Sequence, residues 1–468
     1  MLLYRYFSFL LVLLFSVNQL SGQAELPANY LDDLEEFMSA SRNKNAEEAF
    51  SNFYGLFLSG AFTPEEQLRI AQTTSLMQER RVRSQKGFIS YFHALEQIKN
   101  AENGEEQFVQ WHMVINNLLA EVPFKLNRFS LFLVLSDVFI HQKILDNSQG
   151  GTDWFVLGGT VSWEYDTDPI LKIDDVDRLS AFSAGDSILI QETNLRIDMI
   201  KGEATGTGGK VDWQRVGLSE EIYAELISYN FITNRNVLNA PKARMRYPEY
   251  FGDRMLAGSL TDRTIAGGVK STSEFPQFTS EDGYLEIKNV GEGIDLRGNF
   301  EIRGNTVYAI GDKGRRAEVE LTVFDAGGSE KVRGRAERFS IVQQDRVIGN
   351  SVETTIYFGA DSLYHPSVSI KVDVPGRIVQ LIRTKSGADQ NPFYHSLNRV
   401  NIYADYLDIY LDQDSVLVGK PTVSFADKGV VRVESEEFFS KRDYYRIKNI
   451  AEANPLALML SLREQEVG

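Results

Sequence analysis

Between Glu281 and Phe358 one short unit keeps returning. It reads Leu285-Glu286-Ile287-Lys288-Asn289, then Ile294-Asp295-Leu296-Arg297-Gly298, then Phe300-Glu301-Ile302-Arg303-Gly304, with an echo in Val319-Glu320-Leu321-Thr322. Side chains alternate faces along a strand, so Leu285 and Ile287 share one face while Glu286 and Lys288 share the other. The Asn or Gly closing each of the first three units suits the positive φ of a tight corner. The pattern predicts short strands, a turn after each, stacked solenoid- or roll-like into a long sheet with one apolar face.

Around this stretch the chain reads as α+β and multidomain. From Ala24 to Gln142 the period is helical. Leu31, Leu34, Phe37 and Met38 share a face, as do Phe50, Phe53 and Phe57, and a later stripe holds Phe108, Trp111, Ile115 and Leu118. Asn45 with Glu48, and Thr63-Pro64-Glu65-Glu66, read as capping-box starts. The run Phe129 to Ile140 contains Asp137 and is too short to span a bilayer, so it reads as a buried helix. The period changes from 3.6 to 2 after Asn147-Ser148-Gln149-Gly150-Gly151. The expected organisation is a helical domain over 24–146, a first β region over 151–266, a loop over 267–282 and a second β region over 283–434. A partial helical unit over 435–468 follows, with Ser435 as its N-cap.

Composition narrows the class. Hydrophobic content of 43% and charge of 24% are those of a globular protein. A net charge of −16 argues against nucleic acid as a partner, since phosphate recognition needs a basic surface. Arg5, the uncharged apolar run Phe7 to Val17 and Ser21-Gly22-Gln23-Ala24 have the form of a cleaved signal peptide over 1–23, which leaves no transmembrane helix in the mature chain. There is no cysteine, so disulfides, thiolate metal sites and Cys nucleophiles are all excluded.

Two stretches, Tyr357-Phe358-Gly359-Ala360-Asp361-Ser362-Leu363-Tyr364-His365-Pro366 and Asn391-Pro392-Phe393-Tyr394-His395-Ser396, carry a resemblance. They resemble an uncharacterised group of large exported envelope proteins of Gram-negative bacteria, of which this chain would be an N-terminal portion. The β region from Trp154 onward is similar in style to the OstA-like sheets of lipopolysaccharide transport. The resemblance implies an open, apolar-lined β roll at the periplasm or outer membrane, and it brings no catalytic residues.

Candidate sites are few. Lys331, Arg333 and Arg335 alternate on one strand face, a basic stripe able to hold lipid phosphate or anionic sugar, or else to pair with Glu330, Glu337 and neighbouring strands. His365 and His395 each follow a tyrosine (Tyr364 and Tyr394). With Asp361 and Asp405 they form a metal or acid–base cluster if the sheet gathers them, and otherwise serve in turns. The acidic run Asp166, Asp168, Asp174, Asp175, Asp177 lacks the central Gly and terminal Glu of a calcium loop and reads as a solvated loop. Gly206-Thr207-Gly208-Gly209-Lys210 lacks the spacing of a phosphate loop and reads as a hairpin turn. Gly158-Gly159-Thr160-Val161-Ser162-Trp163 and Gly208-Gly209-Lys210-Val211-Asp212-Trp213 form a longer-range echo.

No catalytic residue, metal or cofactor is assigned, and the absence of a nucleophile elbow or HExxH leans against an enzyme. The leading expectation is a non-enzymatic exported envelope protein. It would act as a scaffold or bind an amphiphile such as lipid or lipopolysaccharide through the β roll, with envelope proteins as further partners. The competing readings are a polysaccharide-acting enzyme on a β solenoid and a protein-interaction adaptor acting through the helical domain.

Overall fold

A computed structural model describes residues 26–146 and 153–419 apart from 102, 184, 266, 269–272, 312–317, 343–344, 384–386 and 414, together with 431–435, 441, 442 and 445. The expected signal peptide and most of the C-terminal helical unit lie outside the described residues, and Ser435, expected to cap that unit, instead ends a strand (Arg432–Ser435) and pairs with Val400. Among the described residues, helices come first and a long antiparallel β region of 23 strands follows. Two compact units divide the chain. One comprises residues through Arg215 with Tyr223–Arg244 and Ser259–Lys270, and the other Val216–Ile222, Met245–Gly258 and Ser271 onward.

The first unit opens with α1 (Tyr30–Ser39), α2 (Lys44–Leu58), α3 (Pro64–Glu79), a π-helical turn (Ser84–Phe88) running into α4 (Ile89–Lys99), α5 (Gly104–Ala120) and α6 (Leu126–Gln142). Thr63 and Glu66 cap α3 reciprocally, with Pro64 in the first turn, as the sequence predicts. For α2 the cap is Asn43, whose side chain accepts from the Ala46 amide, and Asn45 lies inside the helix. The apolar stripes meet in an aromatic core. Phe53 stacks on Phe92 at 4.3 Å and Tyr91 on Trp111 at 5.5 Å. Each ring so buried contributes about 2–3 kcal/mol. None of the described helices is long and apolar enough to cross a membrane.

The helices then seat against strands of the same unit. β1 (Asp153–Leu157) and β2 (Thr160–Tyr165) pair with opposite ends of β3 (Pro169–Ser183). From β3 the sheet continues through β4 (Asp186–Asp198), β5 (Glu203–Asp212) and β6 (Tyr223–Ile232). An edge strand carries unpaired backbone groups, and α5 meets those of β2. The Trp163 amide donates to Gln110 Oε1 at 2.9 Å, and Asn103 Nδ2 donates to the Val161 carbonyl at 3.0 Å. Trp163 packs edge-on against Phe132 and Phe139 of α6.

Two expectations change here. The acidic run is no solvated loop. Asp174, Asp175 and Asp177 lie in β3, and Asp168 is buried between Arg128 and Lys201 at 2.6 and 2.5 Å. The Lys201 ammonium, with Arg128, holds the Asp168 carboxyl below its usual range. The glycine run 206–209 is not a hairpin turn but lies inside β5, whose register against β4 is the same on either side of Gly209. Gly208 and Gly209 have φ of +73° and +111°, and Gly158 and Gly159 have +72° and +93°, so the echoed Gly-Gly pairs share a backbone conformation in different settings.

In the second unit the recurrent stretch forms β10 (Leu285–Gly291), β11 (Ile294–Arg303), β12 (Thr306–Ile310) and β13 (Val319–Phe324). These are followed by β14 (Glu330–Ala336), β15 (Arg338–Val342), β16 (Arg346–Phe358), β17 (Asp361–Asp373), β18 (Ile378–Ile382), β19 (Phe393–His395), β20 (Val400–Tyr403), β21 (Tyr406–Tyr410) and β22 (Ser415–Val418). β9 (Gln277–Ser280) arises inside the stretch read as a connector and pairs with β11. Alternation holds: Leu285, Ile287, Ile294, Leu296, Phe300 and Ile302 are all at most 3% exposed.

Asn289 and Gly304 do sit at positive φ, +51° and +54°. Gly298 does not close a turn, because the second and third units are one continuous strand, β11. Its first half pairs with β10 and β13 and its second half with β9 and β12. At that exchange of partners a Cβ on Gly298 would lie 3.1 Å from Val319 Cγ2 and 3.2 Å from the Ile310 carbonyl oxygen. Glycine is there for space, not for φ.

Candidate functional site

Antiparallel register places the side chains of the second β region in cross-strand rows. On the inner face Ile287, Leu296, Leu321, Gly334, Thr354 and His365 stand side by side across β10, β11, β13, β14, β16 and β17. Phe339 and Val352 fill the space above Gly334 and Gly349, where an added Cβ would collide with them. The outer face over the same strands carries Glu286, Arg297, Glu320, Arg335 and Glu353, a row whose charge alternates at every step. The acid–apolar–base pattern of the sequence is this row seen one strand at a time.

Beside it runs a second outer row: Asp295, Thr322, Arg333, Thr355, Tyr364, Tyr394 and Asn401. Three residues singled out in the sequence, Arg333, Tyr364 and Tyr394, therefore share one polar strip, joined by Thr355. Burial raises the Tyr364 phenol above its usual pKa, helped by the nearby Glu353 charge. Arg335 belongs to the neighbouring row.

Lys331 departs from the expected stripe. The β13–β14 register slips between Val323 and Phe324, leaving Lys331 as the extra residue of a bulge. It is buried, with its ammonium 4.7 Å from the Phe358 ring centre. Arg333 donates to Glu330 at 2.7 Å and Arg335 to Glu320 at 3.4 Å, so both guanidinium groups have carboxylate partners.

The histidines do not form a cluster with Asp361 and Asp405. His365 is buried, and both its ring nitrogens are engaged. Nε2–H donates to the Asn391 carbonyl at 2.7 Å and Nδ1 accepts from the Ser367 amide at 3.0 Å, which fixes the tautomer. Asp361 accepts from Ser396 Oγ at 3.1 Å and Asp405 pairs with Arg383 at 3.3 Å. His395 lies opposite Leu363 on the inner side, 6.2 Å from the Phe358 ring, and its Nδ1 is buried without a hydrogen-bond partner.

The two stretches that carried the family resemblance are instead knotted together. Leu363 pairs with His395 and Tyr364 with Tyr394, Ser362 exchanges bonds with Ser396, and the Asn391 carbonyl accepts from both His365 and Arg383. Such motif residues hold a junction of the sheet and turn two tyrosines outward.

Sequence reading missed one polar cluster entirely. In the first unit Arg215 donates through Nη1 to Asp186 at 3.1 Å and through Nη2 to Asp262, with both carboxylates at most 3% exposed. The three residues span 77 positions, and nothing in their local sequence marks them as neighbours. Comparison with protein-family models, curated proteins and solved structures finds no match to this chain.

Proposed function

We propose that this chain is a non-enzymatic, exported scaffold of the cell envelope, its second β region a roll-like stack of strands presented to envelope partners. The observation that supports it most is the occupied inner face. Phe339 and Val352 close over Gly334 and Gly349, so the sheet fills its apolar side with its own residues. An acyl-chain trough needs that side open, and this favours the scaffold over the amphiphile binder. Fractionation of expressing cells with N-terminal sequencing tests it. The scaffold is expected in the periplasmic or outer-membrane fraction, beginning near Ala24. Recovery in the cytoplasm with Met1 retained would overturn it.

A second reading has its own support. The Arg333–Thr355–Tyr364–Tyr394 strip offers aromatic rings and hydrogen-bonding groups of the kind that hold sugar, favouring the polar head of a lipopolysaccharide-like glycan as ligand. Lipopolysaccharide binding to immobilised protein is expected to weaken at least fivefold in a Tyr364→Ala/Tyr394→Ala variant. Unchanged binding would remove this reading and leave the scaffold untouched.

A further inference from the structure

The Asp186–Arg215–Asp262 cluster joins three segments far apart in sequence, all in the first unit. Asp186 begins β4, Arg215 follows β5 in a short 3-10 turn (Gln214–Val216), and Asp262 lies near the end of β8 (Met255–Arg263). Two carboxylates share one guanidinium, so the cluster carries a net charge of −1 when all three are ionised. A buried net charge is costly, and the cheapest relief is one proton.

Hydrogen bonding identifies where that proton goes. Asp186 is saturated with donors. Its oxygens accept from the Ser187 amide at 2.8 Å, the Ile265 amide at 2.8 Å and Arg215 Nη1 at 3.3 and 3.1 Å. Asp262 Oδ1 accepts from Arg215 Nη2 and from its neighbour's amide, Arg263 N, at 2.8 Å. The charged groups facing it are Arg215 and Asp186, while Arg263 adds its amide and, through its carbonyl, a bond from Arg215 at 3.2 Å.

The cluster clasps residues 259–265, which are also tied to Asn236. The Thr264 amide donates to its carbonyl at 3.3 Å, and its Nδ2 donates to the Thr264 carbonyl at 3.0 Å.

We propose that Asp262 is a proton-operated latch, holding residues 259–265 against β4 when protonated and loosening them when ionised. Burial lifts its carboxyl to about 7 in the closed form, against Arg215, which pulls the other way. In an opened segment the same carboxyl returns to about 3.9. Closure is therefore strongest in acid and is lost as pH rises from about 4 to about 7, by roughly tenfold in the opening constant per pH unit, then levels off.

Hydrogen exchange of the 259–265 amides, corrected for intrinsic rates and measured on the whole chain from pH 5 to 8.5, reads this directly. Wild-type opening is expected to rise about a hundredfold between pH 5 and 7 and to flatten above. Asp262→Asn, isosteric and neutral, is expected to lose the slope. Asp186→Asn, which leaves one carboxylate for one guanidinium, is expected to shrink the slope. A flat wild-type profile, or a slope that survives in Asp262→Asn, would overturn the latch.

Discussion

Glu320 of β13 stands directly opposite Arg335 of β14, and the guanidinium donates to the carboxylate at 3.4 Å. Arg297 flanks the pair on one side and Glu353 on the other, so each charge has opposite neighbours across the strands. Glu320→Lys would set three cations in succession. Half-exposed pairs of this kind are each worth about 0.2–1 kcal/mol, so the variant is expected to lose about 1 kcal/mol in urea unfolding. The loss should shrink in 1 M salt, and the swap Glu320→Lys/Arg335→Glu should recover little of it, because each exchanged charge then faces a like one, Arg297 or Glu353.

Arg377 fastens three turns of the second unit. Its Nε donates to both Asp412 oxygens at 3.0 and 2.9 Å, and its Nη groups donate to the Glu292 and Phe324 carbonyls at 3.0 and 3.2 Å. It does so from φ +47°, a conformation that a non-glycine residue keeps only when well held. Arg377→Ala is expected to lower stability by about 2–3 kcal/mol, seen as a lower denaturation midpoint. Arg377→Lys should cost nearly as much, since an ammonium cannot span all three acceptors.

How much of this was legible follows from what period and composition encode. The alternation from Leu285 to Ile302 fixes which residues are buried, because strand geometry has period 2 whatever the partner. The Thr63 cap and the Phe53 stripe are local in the same way. Partner choice is not local. Nothing in Ile294 to Arg303 says that β11 trades β13 for β12 at Gly298, or that Lys331 is squeezed out by a bulge. His365 looked like a ligand because its acceptor, the Asn391 carbonyl, is 26 residues away. Arg215 was invisible for the same reason: buried ion clusters are assembled by topology.

His365 gives a spectroscopic check on that correction. With Ser367 donating to Nδ1, its imidazole is the Nε2–H tautomer. Imidazole 15N shifts at pH 7.5 are expected to report that tautomer, unchanged by added zinc. Replacing His365 with Ala should cost about 2–4 kcal/mol by stranding the Ser367 amide and opening a cavity.

In the helical bundle, His112 is buried, donating from Nδ1 to the Phe108 carbonyl at 2.8 Å and accepting at Nε2 from Tyr91 at 2.9 Å. Burial drives its imidazole down to about 4, whereas an unfolded histidine titrates near 6.5. The stabilising difference is complete above about pH 6.5 and is lost as pH falls toward 4, about 3 kcal/mol in all. Urea titrations followed at 222 nm should show His112→Gln losing less stability than wild type between pH 7 and 4.5, a difference that cancels the carboxylates common to both.

Register across β13 and β14 underlies both the buried inner face and the charged outer one, and the absence of cysteine from the chain makes it directly measurable. Glu320→Cys/Arg335→Cys and Glu320→Cys/Ala336→Cys differ by one residue, and only the first pair is directly opposed. The expected result is rapid, near-complete oxidation of the first pair and slow, partial oxidation of the second. If Cys pairs at 320 and 336 closed faster than those at 320 and 335, the rows would be misassigned and the scaffold built on them would fall.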